Sequence, residues 1–450
     1  MNDYLLELSR HPFAKKLVKQ LKLPIPLPEP LKREKGPWSD AELAGMTFAF
    51  GSGKNGKLST ILPEIIESAK GETQTEHSPE STLHGLVYDA TGAQTVESLG
   101  GLYDFIKPRL KSLRSNGRVL LVGVSSVAAK QPEGAAVSAA LGGFVRSLAK
   151  EIGKRGATAQ LLLVEPGRAA DWHLKEPVRF FLSRRSAFIS GQTLELSADV
   201  PPPGPRGDVM PLKDKTAVVT GAAHGIGQAI ARRLAAEGAR VMGVDRPTEK
   251  DALEALMTEI GGIPCALDLL APGAVSTLAK RIETEFGALD ILVNNAGITR
   301  DKTLGRMPRD FWDDVIAVNL TAPVELTTAV PLAPGGRVIC MASISGIAGN
   351  FGQTNYAAAK AGLIGYVKAL SSKVVDRGIT VNALAPGFIE TRMTKAIPMA
   401  VREVARRFNS LNQAGQPEDV AEAAAFLAHP GAFSVTGQVL RVCGQNLVGA

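Results

Sequence analysis

Tyr356 and Lys360 stand four residues apart in YAAAKAGLIGYVKALSSKVVDRG, 356–378. The stretch has a helical pattern, so the two side chains share one face. A phenol titrates near ~10 in water, and an ammonium beside it favours the phenolate, giving a proton donor and acceptor usable near neutral pH. The pair alone would suit the exposed face of any helix. Ser343 narrows the reading, because it lies thirteen residues upstream at the end of the strand-like run GRVICMAS. Parallel sheets place functional groups at strand ends beside a nucleotide crevice.

A second group of residues suits an anion. VVTGAAHGIGQAIARRLAAEG runs from a strand through glycines into a helix. Gly221, Gly225 and Gly227 let the backbone approach a pyrophosphate, whose charge the helix N-terminus stabilises. The next strand ends VMGVDRP, which puts Asp245 where a carboxylate accepts hydrogen bonds from ribose hydroxyls and repels a 2′-phosphate. NAD(H) is therefore expected in preference to NADP(H), although Arg246 can pair with a phosphate. Asp268, followed by Leu269 at the end of the third strand, either reaches the adenine amino group or caps a helix.

These groups need a parallel sheet to hold them. From 213 onward, apolar runs (TAVVTG, ARVMGVD, PCALDL, LDILVNNAG, GRVICMAS, ITVNALAP, GQVLRVC) alternate with amphipathic helical patterns. Such alternation indicates a doubly wound sheet. At 450 residues two domains are expected, and the Pro/Gly-dense VPPPGPRGDVMPL, 200–212, reads as the linker between them. Before it, MTFAF, LHGLVYDATG, GRVLLVG, ATAQLLLVEPG and GQTLELS give a shorter version of the same order.

The two halves echo each other. GRVLLVGVSS at 117–126 parallels GRVICMASIS at 336–345, VEPG at 164–167 parallels LAPG at 384–387, and SGQTLEL at 190–196 parallels TGQVLRV at 436–442. GAAVSAALGGFVRSLAKEIGKRG at 134–156 parallels 356–378, with Gly134 at the place of Tyr356 and Ser138 at that of Lys360. Ordered echoes of this kind indicate a repeated domain. The expected fold is α/β, two Rossmann-like domains in tandem. Residues 1–43 form a Pro-interrupted arm, expected to run extended; 44–199 form a smaller, degenerate flavodoxin-like domain; 213–450 form the catalytic domain.

Composition excludes other classes. Hydrophobic residues make up 45% and charged residues 21%, as in a globular protein. The N-terminus has no signal layout and no apolar run spans a membrane, so a cytoplasmic protein is expected. Three separated cysteines and scattered histidines offer no metal site, and the net charge of +7 comes without a basic, aromatic-interleaved stripe for nucleic acid.

The spacing Thr220-Gly221-x3-Gly225-Ile226-Gly227, with Asn294-Asn295-Ala296-Gly297 and Tyr356-x3-Lys360, resembles the short-chain dehydrogenase/reductase family over nearly all of 211–450. The resemblance implies that Tyr356 protonates the alkoxide formed as hydride arrives, that Ser343 orients the carbonyl oxygen, and that Lys360 binds the nicotinamide ribose. It also implies that Asn319 holds a relay water, although a helix-capping Asn is an open alternative. Cofactor contacts would come from Gly221, His224, Gly225, Ile226, Gly227, Asp245, Asp268, Leu269, Asn295, Ala296, Gly297, Tyr356, Lys360, Pro386, Gly387, Ile389 and Thr391.

NFGQTNYAAAKAGLIG, ITVNALAPGFIETRMT and the Gln-Pro-Glu-Asp-Val run at 416–420 look most like 3-oxoacyl-ACP or acyl-CoA reductases. The doubled chain resembles their high-molecular-weight actinobacterial form, in which a flavodoxin-like domain precedes the reductase. The expected reaction is NADH-dependent reduction of a 3-oxoacyl thioester, carried on coenzyme A or acyl carrier protein; another secondary alcohol as substrate, or a nucleotide-binding scaffold, are the alternatives.

Three features depart from that pattern. Pro331 and Pro334 should end the helix after Asn319 early, which disturbs the usual tetramer. His224 stands where NADP-dependent members often carry Arg, and the C-terminus lacks the common Gly-Gly ending. Arg392, Lys395, Arg402, Arg406 and Arg407 are either a phosphate-binding lid or a solvated helix face. The first half, lacking the phenol and the ammonium, is expected to serve assembly, offering a pseudo-subunit face through its 134–156 helix and leaving a homodimer.

Overall fold

The computed structural model describes every residue except 1–2, 12, 14–15, 17–19, 21–26, 77, 79–81, 127–128, 130, 166–170, 204–208, 396 and 447–450. The middle of the 200–212 linker and part of the 1–43 arm thus lie outside the described residues, as does the Pro-Gly of VEPG.

Among the described residues the chain forms two wholly parallel sheets. The first contains β1 (Thr47–Ser52), β2 (Glu72–Gln74), β3 (Leu83–Asp89), β4 (Leu113–Val124), β5 (Thr158–Val164) and β6 (Gln192–Glu195), in the order β2-β1-β3-β4-β5-β6. The second contains β7 (Thr216–Thr220), β8 (Arg240–Asp245), β9 (Ile263–Ala266), β10 (Leu289–Asn294), β11 (Leu332–Met341), β12 (Thr380–Pro386) and β13 (Val439–Val442), ordered β13-β12-β11-β10-β7-β8-β9. Each order reverses at its first strand, the switch point where doubly wound sheets open a crevice. The tandem α/β architecture is the expected one. The strand β2 was not legible beforehand: ETQ is three polar residues at a sheet edge, with no apolar period to announce it.

The sheets are buried on both faces, so their strands read as continuous apolar runs. β5 is buried throughout, as is β12. One apolar core then crosses between the two units. Phe180, Phe181 and Phe188 of the first half pack in the same cluster as Phe426, Val435 and Leu440 of the second.

This junction differs from the expected one. The Pro132–Gly153 helix meets the second unit through its C-terminal half: the Arg146 carbonyl accepts from Gln445 Nε2, and Gly153 lies under the Ser410 carbonyl. The larger face belongs to the helices Asp171–Leu182 and Pro417–Ala428 and to the edge strands β6 and β13. Gln192 Oε1 accepts from Arg441 N at 3.4 Å, and Gln438 Oε1 accepts from Glu195 N at 3.2 Å. Arg185 joins Glu42 and Glu422 across the boundary, all three side chains being nearly buried.

The arm is not simply extended. Tyr4–Arg10 forms a helix whose N-cap Asp3 accepts from Leu6 N, and Asp3 also pairs with Arg407 of the second unit. Further on, Arg33 forks onto Asp419 at 2.7 and 2.9 Å, and Trp38 is buried with its backbone N–H donating to Glu237. The arm therefore straps the two units together. No helix among the described residues is long and apolar enough to cross a membrane.

Candidate active site

The cofactor end is built by β7 running into the Gly225–Ala236 helix. Gly221 and Gly225 have φ of +67° and +58°, a region in which side chains are strained. A Cβ on Gly227 would strike the Gly221 carbonyl and Asn295 Nδ2. Asn295 holds the turn from the other side, donating to the carbonyls of Thr220 and Gly221 at 2.9 and 3.1 Å. His224 is the N-cap but makes no side-chain cap bond, so the first amides of the helix are left for an anion. A glycine cradle backed by an uncapped helix end fits a dinucleotide pyrophosphate.

A cavity of about 670 Å³ opens along the C-terminal ends of these strands. Its walls include Gly221, His224, Gly225, Ile226, Gly227, Asp245, Asp268, Leu269, Asn295, Ala296, Gly297, Pro386, Gly387, Ile389 and Thr391, together with Ser343, Tyr356 and Lys360. Asn319 is fully buried just behind the wall.

At the chemical end, Ser343 follows β11 and caps the Ile344–Ala348 helix by accepting from Ser345 N at 3.1 Å. Its hydroxyl also lies near enough to the Tyr356 phenol to favour the phenolate slightly. Tyr356 and Lys360 lie on the Thr354–Val374 helix, with the Lys360 ammonium 5.6 Å from the phenol ring centre and donating to the Met341 carbonyl at 2.7 Å. Burial lowers the Lys360 ammonium to about 8. Burial also raises the Tyr356 phenol above its ordinary value, against a smaller opposing effect of the neighbouring Ser343 hydroxyl. The simple expectation that Lys360 pulls the phenol down is thus reversed in the protein alone, since desolvation outweighs the distant ammonium.

Asn319 sits inside a π-helical turn, Ala317–Thr321, not at a helix end, so it is not a cap. Single π-turns often mark functional positions. Its Nδ2 donates to the carbonyls of Ile298 and Val315, both at 2.9 Å, while its Oδ1 is buried without a partner. A Cβ on Gly297 would come 2.6 Å from that Oδ1 and 3.4 Å from Lys360 Nζ, so the orphan oxygen and the ammonium flank the same glycine.

Around the cavity mouth, Gly387 donates to Val442 and leaves no room for a Cβ against Cys443. Ile389 bridges to Gly415, and Thr391 packs its methyl group beside Gly225. Asp268 accepts from Leu270 N at 2.9 Å, closing a turn at the cavity wall rather than capping a helix. Arg300, Asp314, Met393 and Thr394 also line the cavity. Sequence reasoning missed them because they come from loops and helix faces without a motif. Asn355 was missed too: it is fully buried and donates to the carbonyls of Arg300 and Phe311, tying the 300–311 segment to the catalytic helix.

The lid cations are neither a phosphate cluster nor a solvated face. Arg402 and Arg406 are 3% and 1% exposed; Arg406 pairs with Glu390 at 2.6 Å and with Glu403, and Arg407 pairs with Asp3. Arg392 and Lys395 alone of the five are exposed. The Met399–Arg407 helix instead turns Met399, Val401 and Val404 outward, each at least half exposed.

The family profile described as Enoyl-(Acyl carrier protein) reductase matches residues 221–444. The 3-oxoacyl-[acyl-carrier-protein] reductase FabG of Vibrio cholerae is 45% identical over 241 residues, spanning 52% of this chain and 98% of that protein. The enzyme of the same description from Escherichia coli is 44% identical over the same shares. Among solved structures, a short chain dehydrogenase from Burkholderia cenocepacia in complex with NADP is 36% identical, with a TM-score of 0.50 over 52% of this chain and 98% of that one.

That neighbour's NADP overturns the expected preference for NAD(H). Asp245 is already engaged by its own surroundings. Its carboxylate oxygens accept from Ala223 N at 2.9 Å and Arg246 N at 2.8 Å, so they brace the glycine turn. Around them stand His224, Arg246 and Arg392, gathered by Glu249 at 2.9, 3.4 and 3.8 Å, three cationic or basic groups able to meet a 2′-phosphate. With the glycine turn, the paired Asn motif and the Ser, Tyr and Lys set in one cavity, and with relatives matched over nearly their whole length, the chain belongs to the short-chain dehydrogenase/reductase family.

Proposed function

We propose that the 213–450 half reduces 3-oxoacyl thioesters to 3-hydroxyacyl thioesters with NADP(H). The observation that carries the reading is the meeting of Ser343, Tyr356 and Lys360 at one end of a cavity whose other end is a glycine cradle. The relatives named as 3-oxoacyl-acyl carrier protein reductases, at 44–45% identity, supply the substrate class.

Reduced nicotinamide, when bound, supplies the hydride. Ser343 donates to the substrate carbonyl oxygen and holds it beside the phenol. Tyr356 gives its proton to that oxygen as the alkoxide forms, and a phenol kept protonated by burial is the right state for a donor. Lys360, fixed by the Met341 carbonyl, holds the ribose and stabilises the phenolate left behind. Asn319 Oδ1 offers a buried acceptor for a water through which Lys360 and Tyr356 recover the proton. Met393, at the cavity wall, and the outward Met399 and Val404 give the acyl chain an apolar path. The thioester carrier is acyl carrier protein or coenzyme A, approached past exposed Arg392 and Lys395.

The test is oxidation of NADPH and of NADH with acetoacetyl thioesters of acyl carrier protein and of coenzyme A, beside a sugar and a steroid ketone. Turnover is expected with the thioesters. Turnover with another ketone and none with either thioester would contradict the substrate assignment.

A further inference from the structure

A small cavity of about 100 Å³ lies in the first unit, at the end of the sheet away from the strand C-termini. Its charged lining is Lys32 from the arm, His84 from β3, Arg114 and Arg118 from the start of β4, and Arg184 from the turn after the Asp171–Leu182 helix. Among the described residues no carboxylate lines it. Arg118 is buried and Arg184 partly so, with Arg114 and Lys32 exposed at the rim; four cations converge with no acid between them, and the buried one would ordinarily be paired.

Two details show that the cluster is incomplete as it stands. Arg118 is 2% exposed and has no acidic partner among the described residues: its Nε and Nη1 donate to the carbonyls of Ser183 and Asn116, and its Nη2 is buried with nothing among them to donate to. His84 is the second. Its Nδ1 accepts from Thr47 N at 3.0 Å, which puts the proton of a neutral ring on Nε2. That nitrogen lies 2.9 Å from Arg114 Nη1, itself a donor. Two donors thus face each other across the pocket. Burial and the charges of Arg114, Arg184 and Lys32 also hold the imidazole below its ordinary value, against a smaller effect of Glu72 outside the pocket.

We propose that this cavity is a binding site for a phosphate-class oxyanion. A tetrahedral anion accepts from several directions at once. It would take the idle Arg118 Nη2, separate His84 from Arg114, and draw Lys32 and Arg184 inward; guanidinium forks match such oxygens geometrically. Arg184 immediately precedes Arg185, which crosses to Glu422 of the second unit, and the Lys32 segment precedes Trp38 in the junction. The bound anion therefore stiffens the strap between the units, far from the coenzyme cradle.

The test uses the full chain with saturating NADPH, so that phosphate cannot enter the coenzyme site. Thermal midpoints are followed against inorganic phosphate and against glycerol 3-phosphate at constant ionic strength. A saturable rise is expected. Loss of one charge-assisted contact should weaken the apparent affinity about tenfold in Arg114→Gln and in Arg184→Gln, with NADPH oxidation unchanged. Both side chains are less buried than Arg118, so these variants fold even if Arg118→Met does not. A rise with inorganic phosphate alone assigns a free ion; a rise with both assigns a phosphomonoester-tolerant site. No saturable rise in the parent protein, or an undiminished rise in both variants, overturns the proposal.

Discussion

Phe180 and Phe426 stack with ring centres 4.2 Å apart and planes 3° from parallel, and they occupy equivalent places in two copies of one segment. Phe426 follows Phe180 by 246 residues, the separation that also relates Gln192 to Gln438 and Glu195 to Arg441. The reciprocal bonds Gln192 to Arg441 and Gln438 to Glu195 obey the same relation. Reciprocity of this kind is the mark of a two-fold interface between like subunits. Here both sides belong to one chain.

Removing either ring should therefore cost as much as opening a core. Phe180→Ala and Phe426→Ala are each expected to lower stability by about 3–5 kcal/mol. The double variant should lose less than the sum, with a coupling of about 0.5–1.5 kcal/mol for the stacked pair. Strict additivity in denaturant melts would contradict the pairing.

A 213–450 fragment would uncover Phe426, Val435 and Leu440 and strip Glu422 of Arg185. Exposed apolar surface of that extent drives association. Sedimentation should show the fragment self-associating; a stable, dispersed monomer would mean that the first half is not needed to cover this face.

Lys360 gives a pH signature. Its ammonium is lowered from 10.5 to about 8 by burial, so the folded state binds fewer protons than the unfolded state between these values. Stability contributed by this group rises as pH goes from about 8 to about 10.5, because the cost of burying the charge is relieved. Lys360→Met should be more stable than the parent at neutral pH, by on the order of 2 kcal/mol after loss of the Met341 bond. The advantage should shrink above pH ~8. A variant less stable at pH 7 would show that the ammonium is better compensated than its contacts suggest.

At the coenzyme corner, Glu249 engages His224, Arg246 and Arg392. Glu249→Gln should free them for a 2′-phosphate and lower the KM for NADPH severalfold, with little change for NADH and more sensitivity to salt. An equal effect on both coenzymes would mean that these cations do not reach the phosphate.

How much of this was legible in the sequence depended on period and motif. The continuous apolar runs of β5 and β12 and the glycine turn at 221–227 announced themselves, because burial on two faces and a positive φ each demand particular residues. The coenzyme preference did not follow from Asp245, since residue type alone cannot show that its oxygens are used by Ala223 and Arg246. The lid arginines misled for the same reason: Arg406 looks solvated in sequence and becomes buried only through Glu390 and Glu403. Nor could a single-chain pattern show that the 171–182 helix, rather than the 134–156 helix, makes the larger part of the junction. That depends on which repeated faces meet.

In the proposed reaction Tyr356 supplies the proton. Turnover of an acetoacetyl thioester by Tyr356→Phe, measured with NADPH binding followed separately by fluorescence, tests it most directly. A loss of about 10²–10⁴-fold in kcat is expected, with coenzyme affinity nearly unchanged. Turnover within a few-fold of the parent would contradict it.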